Sequence, residues 1–340
     1  MRLGLQLGYD DPVFWTGLAE EAERCGVHSV WTSEAYGSDA IGPLAWIAAR
    51  TSRILLGTGI AQMPARTPAT TAATAATLDL LSGGRVILGL GTSGPQVAEG
   101  WHGEAWGRPL VRTREYVAIV RAVLRRQEPL EHHGPHYDIP YSGLGATGLG
   151  RPLKLILRPP RPDIPIHLAA IGPRNVALAA EIADGWLPLF FSPERFAKTH
   201  LPSLREGFAV RGGRPSGWEL APHVPVVVSG DLAGARDALR PLLALYIGGM
   251  GARGRNFYNR LAVRYGFESE AAAIQDLFLA GRRADAAAAV PDALIDQVCL
   301  IGERGRIAER LSAFRECGVT TLIAHTREPD ALRLLAELMT

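Results

Sequence analysis

Short apolar runs alternate with amphipathic stretches along almost the whole of this 340-residue chain. Eight runs are rich in Leu, Val and Ile, and the stretches between them carry apolar residues at helical spacing. Strands and helices that alternate in this way build either a closed (β/α)8 barrel or a doubly wound sheet. The predicted strands cover residues 3–8, 28–34, 54–60, 86–91, 165–170, 185–190, 221–229 and 319–325.

Two segments exceed what a barrel needs. A (β/α)8 barrel typically takes about 250 residues, which leaves roughly 90 residues over. Residues 129–164 are rich in Gly and Pro and predict an irregular excursion, whereas residues 231–302 predict a mostly helical insertion. Because neither segment has the character of an independent unit, we expect one domain over residues 1–340.

Composition and charge exclude several classes of protein. The 36 basic and 34 acidic residues leave a net charge of +2, which is too small to indicate a nucleic-acid partner. No apolar run reaches the roughly 18 residues that a membrane span requires. The start of the chain does not fit a signal peptide, because it carries acidic residues where the apolar stretch would lie. The three cysteines form no CxxC pair, which favours a reducing compartment. We therefore expect a cytoplasmic enzyme.

Residues 169–175 are a candidate anion site. The predicted strand ends in small residues, and Pro173 stands where the next helix would begin. Free N–H groups at a helix start attract phosphate, and Arg174 would add a positive charge. The alternative is a turn that only caps its helix.

Three further strand ends carry motifs with two interpretations each. Two glycines within residues 57–62 indicate a bulge close to a ligand, or only a bend of the barrel. Glu34 ends the second strand and is either a base or ring contact or an exposed capping acid. The sequence Gly89-x-Gly91-x-x-Gly94 matches a dinucleotide fingerprint only nominally, because the expected acid about 20 residues later is absent, so a simple turn is favoured.

The histidines do not predict a metal site. His132, His133 and His136 are close in sequence, but no acid or cysteine at ligand spacing accompanies them. His102, between two tryptophans, is either a pocket residue or part of a packed aromatic loop. No nucleophile elbow, P-loop or HExxH motif is present.

Two segments resemble a known superfamily. With TLDLLSGGRVILGLG at residues 77–91 and AAIGPRNVALAAEIADGW at residues 169–186, the chain resembles the luciferase-like superfamily. Within it, the chain is similar to the deazaflavin (coenzyme F420)-dependent oxidoreductases, close to methylenetetrahydromethanopterin reductase. The likeness continues to GERGRIAERLSAFRECGVTTLIAH, near the end of the chain. It implies a (β/α)8 TIM barrel with insertions.

The resemblance also implies a coenzyme site at the carboxyl ends of the strands. It implies a non-prolyl cis peptide bond between Gly59 and Ile60 behind the central ring of the deazaflavin, with Gln62 beside it. Glu34 would lie at the polar edge of that ring and is the one expected catalytic carboxylate. The remaining implied contacts, after the fourth strand and at the phosphate, are Thr92, Gly94, Ile171, Gly172, Arg174 and Asn175.

Departures from one branch of the family narrow the range of expected substrates. In the sugar-phosphate dehydrogenases a His follows the acid of the second strand, and this chain has Ala35. Pro95 stands where that branch has a Glu, and the stretch 189–192 lacks the phosphate-binding Lys, so sugar-phosphate oxidation is disfavoured. An apolar, aromatic or alicyclic substrate fits the expected pocket neighbours, which are Trp101, Phe190, Phe191 and Tyr246.

The sequence thus predicts hydride transfer between coenzyme F420 and a C=C, C=O or C=N bond of a small organic substrate. One alternative is an FMN-dependent monooxygenase of the same superfamily. The second alternative is a barrel that binds a cofactor without catalysis. A homodimer without nucleic-acid or membrane partners is expected in each case.

Overall fold

Parallel strands dominate the computed structural model, which describes residues 1–8 and 10–339. A proline lies in the first turn of most helices, where its missing N–H costs no helical hydrogen bond. The strands are β1 (Arg2–Gln6), β2 (Ser29–Thr32), β3 (Leu55–Thr58), β4 (Ala61–Gln62), β5 (Val86–Gly91), β6 (His132–His133), β7 (Asp138–Ile139), β8 (Ile166–Ala169), β9 (Gly185–Leu187), β10 (Glu219–Leu220), β11 (His223–Val228), β12 (Leu300–Gly302) and β13 (Thr321–His325).

Fifteen α-helices connect these strands in the described residues. They are α1 (Pro12–Arg24), α2 (Gly42–Ala48), α3 (Pro68–Ser82), α4 (Pro95–Gly100), α5 (Pro109–Arg125), α6 (Pro173–Ile182), α7 (Pro193–Thr199), α8 (Leu201–Arg211), α9 (Leu232–Ala244), α10 (Phe257–Arg264), α11 (Glu268–Leu279), α12 (Arg283–Ala288), α13 (Asp292–Val298), α14 (Arg304–Glu316) and α15 (Pro329–Met339). A short 3₁₀ helix covers Met63–Ala65, and a π-helical segment covers Leu245–Gly249.

The strands close into a barrel. Parallel pairing runs from β13 through β1, β2, β3, β5 and β8 to β9. Strands β10 and β11 together take the place of the eighth barrel strand. On one side, Ala221 N donates to Trp186 O of β9 at 2.9 Å. On its other side Ile323 N of β13 donates to Pro222 O at 2.9 Å. Pro222 has no N–H to donate, and it separates β10 from β11. The predicted eight-strand α/β barrel is confirmed.

Both predicted insertions are present. Residues 129–164 are irregular apart from the small β6–β7 hairpin. Residues 231–302 contain α9–α13, and in addition the strand β12, which extends the sheet beside β11 and was not predicted. The apolar core of this insertion includes Phe190, which follows barrel strand β9. A single domain over residues 1–340 stays a prediction.

The core has an inner and an outer layer. Inside the barrel, residues from four strands pack together with Ala221, which lies between β10 and β11, so this part of the interior is filled rather than open. The outer faces of the same strands pack against the helices, which explains why the strands read as continuous apolar runs. The inner cluster consists of Trp31, Ile87, Leu187, Ala221 and Ile323. Within the described residues, no helix has the length and apolar character to cross a membrane.

Candidate active site at the carboxyl ends of the strands

The second and third strands bring four of the predicted site residues together. Gly59 N donates to Thr32 O at 2.6 Å, and Glu34 N donates to Ile60 O at 3.2 Å. The peptide bond between Gly59 and Ile60 is cis, as the resemblance implied. Gln62 follows in β4, so all four residues lie at the carboxyl ends of the strands, where barrel enzymes hold their sites.

The Glu34 carboxylate is fixed by two donors. Its Oε2 accepts from Gln62 N at 2.8 Å and from Arg66 Nη1 at 2.6 Å, and only 7% of the side chain is exposed. The same ion pair raises the pKa of Arg66. Arg66 was not predicted, because it lies in an irregular turn before α3 and belongs to no motif. A carboxylate held in one position in this way is suited to orienting a neighbour by hydrogen bonding.

The Gln62 side chain connects two loops of the site. Its amide Nε2 donates to Glu34 O at 2.9 Å, while its Oε1 lies 2.8 Å from Nε2 of His102. Because the Gln62 amide oxygen can only accept, Nε2 of His102 is the donor in this pair. His102 therefore belongs to the site and is not merely part of an aromatic loop.

Two glycines at the barrel mouth are in close contact with neighbouring side chains. A Cβ on Gly91 would stand 2.8 Å from Cδ1 of Ile60. A Cβ on Gly59 would stand 2.7 Å from Cε1 of His223. Glycine at both positions is therefore required by the close packing of Ile60 and His223 against the backbone.

A polar wall lies against Gly59 and was not predicted. Gln6 and His325 end strands β1 and β13 and are paired in register, whereas His223 begins strand β11. Gln6 is 7% exposed, and its Oε1 has no hydrogen-bond partner. Burial, reinforced by the neighbouring His325, lowers the pKa of His223 to about 3. Desolvation by the surrounding protein atoms, together with the charge of Arg327, also lowers the pKa of His325, which ends β13 at the surface, so both rings are neutral near pH 7.

The period of two along the strands is the signal that would have found this wall. Gly4 points into the barrel, since a Cβ there would meet Ser29, Trp31 and Ile323. Two residues later, Gln6 must point the same way. The same step leads from Ile323 to His325.

The predicted anion-binding residues gather at the start of α6. Gly172 is the N-cap of this helix, and no side chain caps it. Thr92 and Asn175 line a common cavity of about 10 Å³, enough for a water molecule at most. Gly94 is the N-cap of α4 on the neighbouring rim. Arg264 of the second insertion, which was not predicted, donates from Nη2 to Ile171 O at 2.8 Å.

Aromatic rings from the second insertion border the mouth. Phe190 packs edge-on against Tyr246 and Tyr258, with ring centres 5.2 and 6.0 Å away. Phe191 was expected beside them, but it is fully buried against Trp186 and belongs to the outer core. Both residues follow the end of β9, and the positive φ of 55° at Phe190 turns the chain there, so the two rings enter different cores.

A larger cavity of about 440 Å³ lies at the opposite, amino-terminal end of the barrel. Its charged groups already neutralise one another: Arg121 pairs with Asp184 at 2.9 Å and Arg125 with Asp163 at 2.8 Å. It touches none of the predicted site residues. The described residues also contain no cluster of His, Cys, Asp or Glu able to hold a metal ion.

Comparison with known proteins shows the family to which the chain belongs. The family described as luciferase-like monooxygenase matches residues 8–321. The chain belongs to the luciferase-like family. A Mycobacterium tuberculosis protein named "putative coenzyme F420-dependent oxidoreductase" is 46% identical to it, over 100% of this chain and 99% of the relative. This confirms the resemblance found in the sequence.

Other members of the luciferase-like family are more distant. The 5,10-methylenetetrahydromethanopterin reductase of Methanolobus tindarius is 28% identical over 95% of this chain and 94% of its own. The structure of the coenzyme F420-dependent tetrahydromethanopterin reductase from Methanopyrus kandleri superimposes with a TM-score of 0.80 at 24% identity, over 99% and 97% of the two chains. This likeness shows that the two proteins share the luciferase-like fold.

Proposed function

We propose that this protein is a coenzyme F420-dependent oxidoreductase acting on a small organic substrate, by reduction of a C=C, C=O or C=N bond. The observation that carries the proposal is the 46% identity, over the full length of both chains, with the Mycobacterium tuberculosis protein of that name. At 28% identity, the methylenetetrahydromethanopterin reductase of Methanolobus tindarius supports it independently.

The residues at the barrel mouth fit such a coenzyme. Glu34 and Gln62, beside the cis bond between Gly59 and Ile60, offer hydrogen-bonding groups to the edge of a planar ring. The uncapped start of α6 suits a phosphate. When bound, the deazaflavin supplies or accepts the hydride, and the protein supplies orientation and a sheltered pocket.

The contacts of the site residues indicate what the protein itself contributes to the reaction. The ion pair with Arg66 holds the Glu34 carboxylate in one position, so Glu34 orients the ring edge. Gln6 and His223 face Gly59 from the polar wall, where they can hydrogen-bond the heteroatom of a substrate. Phe190, Tyr246 and Tyr258 exclude water on the insertion side.

Direct titration tests the proposed coenzyme. Purified protein is titrated with F420, FMN and the nicotinamide coenzymes, and quenching of fluorescence reports binding. Saturable binding of F420 with FMN inert supports the proposal. FMN that co-purifies and drives oxygen consumption would instead establish the monooxygenase alternative.

A turnover assay distinguishes an enzyme from the remaining alternative, a barrel that binds a cofactor without catalysis. Reduced F420 is mixed with a panel of enones, ketones and imines, and its reoxidation is followed by absorbance. Tight coenzyme binding with no turnover across the panel would favour a non-catalytic binding barrel. The cytoplasmic location and the homodimer remain predictions, and sedimentation velocity measures the oligomeric state.

A further inference from the structure

Phe190 adopts a backbone conformation that is unfavourable for its residue type. Its φ is +55°, and a residue with a Cβ enters this left-handed region only at a cost in energy. Arg126, which has a similar φ, ends helix α5, where a left-handed residue is common. Phe190 instead lies between strand β9 and helix α7 and is 4% exposed. Contacts from outside its own segment must therefore hold it in place.

Tyr265 holds the backbone of Phe190 from the second insertion. Its hydroxyl donates to Phe190 O at 2.9 Å, and only 1% of the residue is exposed. Because this hydroxyl has a single proton, Nε2 of His200, which lies 3.1 Å away, is the donor in the other hydrogen bond of the group. Burial raises the pKa of the hydroxyl and lowers the pKa of His200 to about 3, so both groups are neutral near pH 7.

The end of helix α10 fastens the insertion to two loops of the barrel mouth. Arg264, the last residue of α10, donates from Nη2 to Ile171 O at 2.8 Å, after strand β8. Tyr265 is the next residue, and it reaches Phe190 after strand β9, which pairs with β8 in the sheet. The two contacts place the end of α10 against the carboxyl ends of adjacent strands, where the candidate site lies.

Phe190 in turn packs against the two aromatic rings that border the mouth. Its ring meets Tyr246 and Tyr258 edge-on at 5.2 and 6.0 Å, and those two rings lie 4.7 Å from each other. Phe190 is buried, whereas Tyr246 and Tyr258 are half-buried and keep part of their surface accessible. A shift of Phe190 would move both rings, because closely packed side chains transmit displacement to their neighbours.

We propose that Tyr265 is a positioning residue that sets substrate selectivity through Phe190. Its hydroxyl fixes the left-handed backbone of Phe190, and Phe190 fixes the aromatic wall that it forms with Tyr246 and Tyr258. The substrate class that such a wall selects is an apolar ring, aromatic or alicyclic, because a ring packs well against aromatic edges and faces. The selectivity rests on the proposed function, whereas the hold on Phe190 does not.

Crystal structures of the ligand-free wild type and Tyr265→Phe test the hold on Phe190 without any coenzyme. The variant loses only the hydroxyl, so we expect Phe190 to leave the left-handed region, or the rings of the aromatic wall to shift. An unchanged φ at Phe190 with all three rings in their wild-type positions would overturn the proposal.

Thr321→Val is the matched control for the loss of a buried hydroxyl. Thr321 is 1% exposed, and its Oγ1 donates to Glu219 Oε2 at 3.1 Å, at the amino-terminal end of the barrel. We expect this control to lower the Tm as Tyr265→Phe does, but to leave Phe190 and the aromatic wall unchanged. Displacement of the wall in the control as well would show that general destabilisation, not Tyr265, moves it.

Steady-state kinetics with reduced F420 tests the selectivity. The two substrates are the most rapidly reduced cyclic compound of the panel and its open-chain analogue. In Tyr265→Phe we expect the KM for the cyclic substrate to rise about tenfold, since a displaced wall loses apolar contact with the ring. The KM for the open-chain analogue, the kcat and the Kd for F420 should stay near the wild-type values. An equal rise in both KM values, or turnover of open-chain compounds alone, would contradict the proposal.

A double substitution shows whether Tyr265 acts through Phe190. Phe190→Leu should itself raise the KM for the cyclic substrate, and the addition of Tyr265→Phe should raise it no further. Additive effects would refute action through Phe190. Failure of the wild type to bind F420 would refute the proposed function alone, and the crystal structures would still decide whether Tyr265 holds Phe190.

Discussion

Glu34 shows how much the contacts of a residue add to what its sequence position predicts. From the sequence it was either a proton-transfer group or a ring contact. In the folded protein its side chain is 7% exposed, and its carboxylate accepts from both Gln62 N and Arg66 Nη1. Because both donors hold Oε2 in one position, we propose that Glu34 orients the coenzyme and does not transfer a proton.

Substitution of Glu34 by Gln separates these two roles. The variant keeps the size of the side chain but leaves Arg66 without its counter-ion, so we expect the Kd for F420 to rise by about tenfold. The kcat should change little. Equilibrium titration and steady-state kinetics measure the two quantities. A fall in kcat of about 10²-fold or more at unchanged Kd would instead identify Glu34 as the proton-transfer group.

At the scale of elements, the segment TLDLLSGGR forms the end of helix α3 and the turn that leads into strand β5. Helix α3 ends at Ser82, and Gly83 follows with φ +70°, a left-handed conformation that suits glycine. Asp79 in the last turn of α3 is fully buried and accepts from Val86 N of β5 at 3.1 Å. The helix end and the next strand are thereby joined.

Arg161 attaches the first insertion to this junction. Its Nε lies 3.2 Å from Asp79 Oδ2, and its Nη2 donates to Val86 O at 2.8 Å. Residues 129–164 have little regular structure of their own. This ion pair is therefore a main link between the excursion and the barrel.

Loss of Arg161 should destabilise the protein. Arg161→Met leaves the Asp79 carboxylate buried without its cation, and we expect the free energy of unfolding to fall by about 3 kcal/mol. Arg158→Met is the matched control, because Arg158 is exposed on the same segment and has no ion pair among the described residues. Urea denaturation measures both variants. Equal stability of the two would contradict the anchoring role.

At the scale of the whole molecule, buried histidines couple stability to pH. Burial lowers the pKa of His200 and of His223 to about 3, and it also lowers the pKa of His167. An unfolded histidine titrates near 6.5. Below that pH the unfolded chain binds protons that the folded protein excludes, so the stability present above pH 6.5 is lost as the pH falls.

Unfolding at two pH values tests this coupling. Between pH 6.5 and pH 5, His200 and His223 should each lower the free energy of unfolding by about 2 kcal/mol, at about 1.4 kcal/mol per pH unit. His200→Gln keeps a polar partner for Tyr265, and its decrease should be smaller by that amount. Parallel curves for the variant and the wild type would show that His200 does not contribute.

The sequence by itself determined the local structure and the order of the elements. Apolar runs and a proline at a helix start are short-range signals, so the eight strands and the start of α6 at Pro173 were predicted. The cis bond after Gly59 and the family came from the resemblance. Positions that were read as strand ends therefore lie at the barrel mouth.

Only the tertiary structure decided which side chains meet there. Gln6 and His325 stand at opposite ends of the chain, and barrel closure places them in register. Arg264 reaches Ile171 across 93 residues, and Arg66 reaches Glu34 across 32. No local pattern encodes such pairs, because strand period gives the direction of a side chain but not its neighbour. The neighbour is set by how the sheet closes and where the insertion packs.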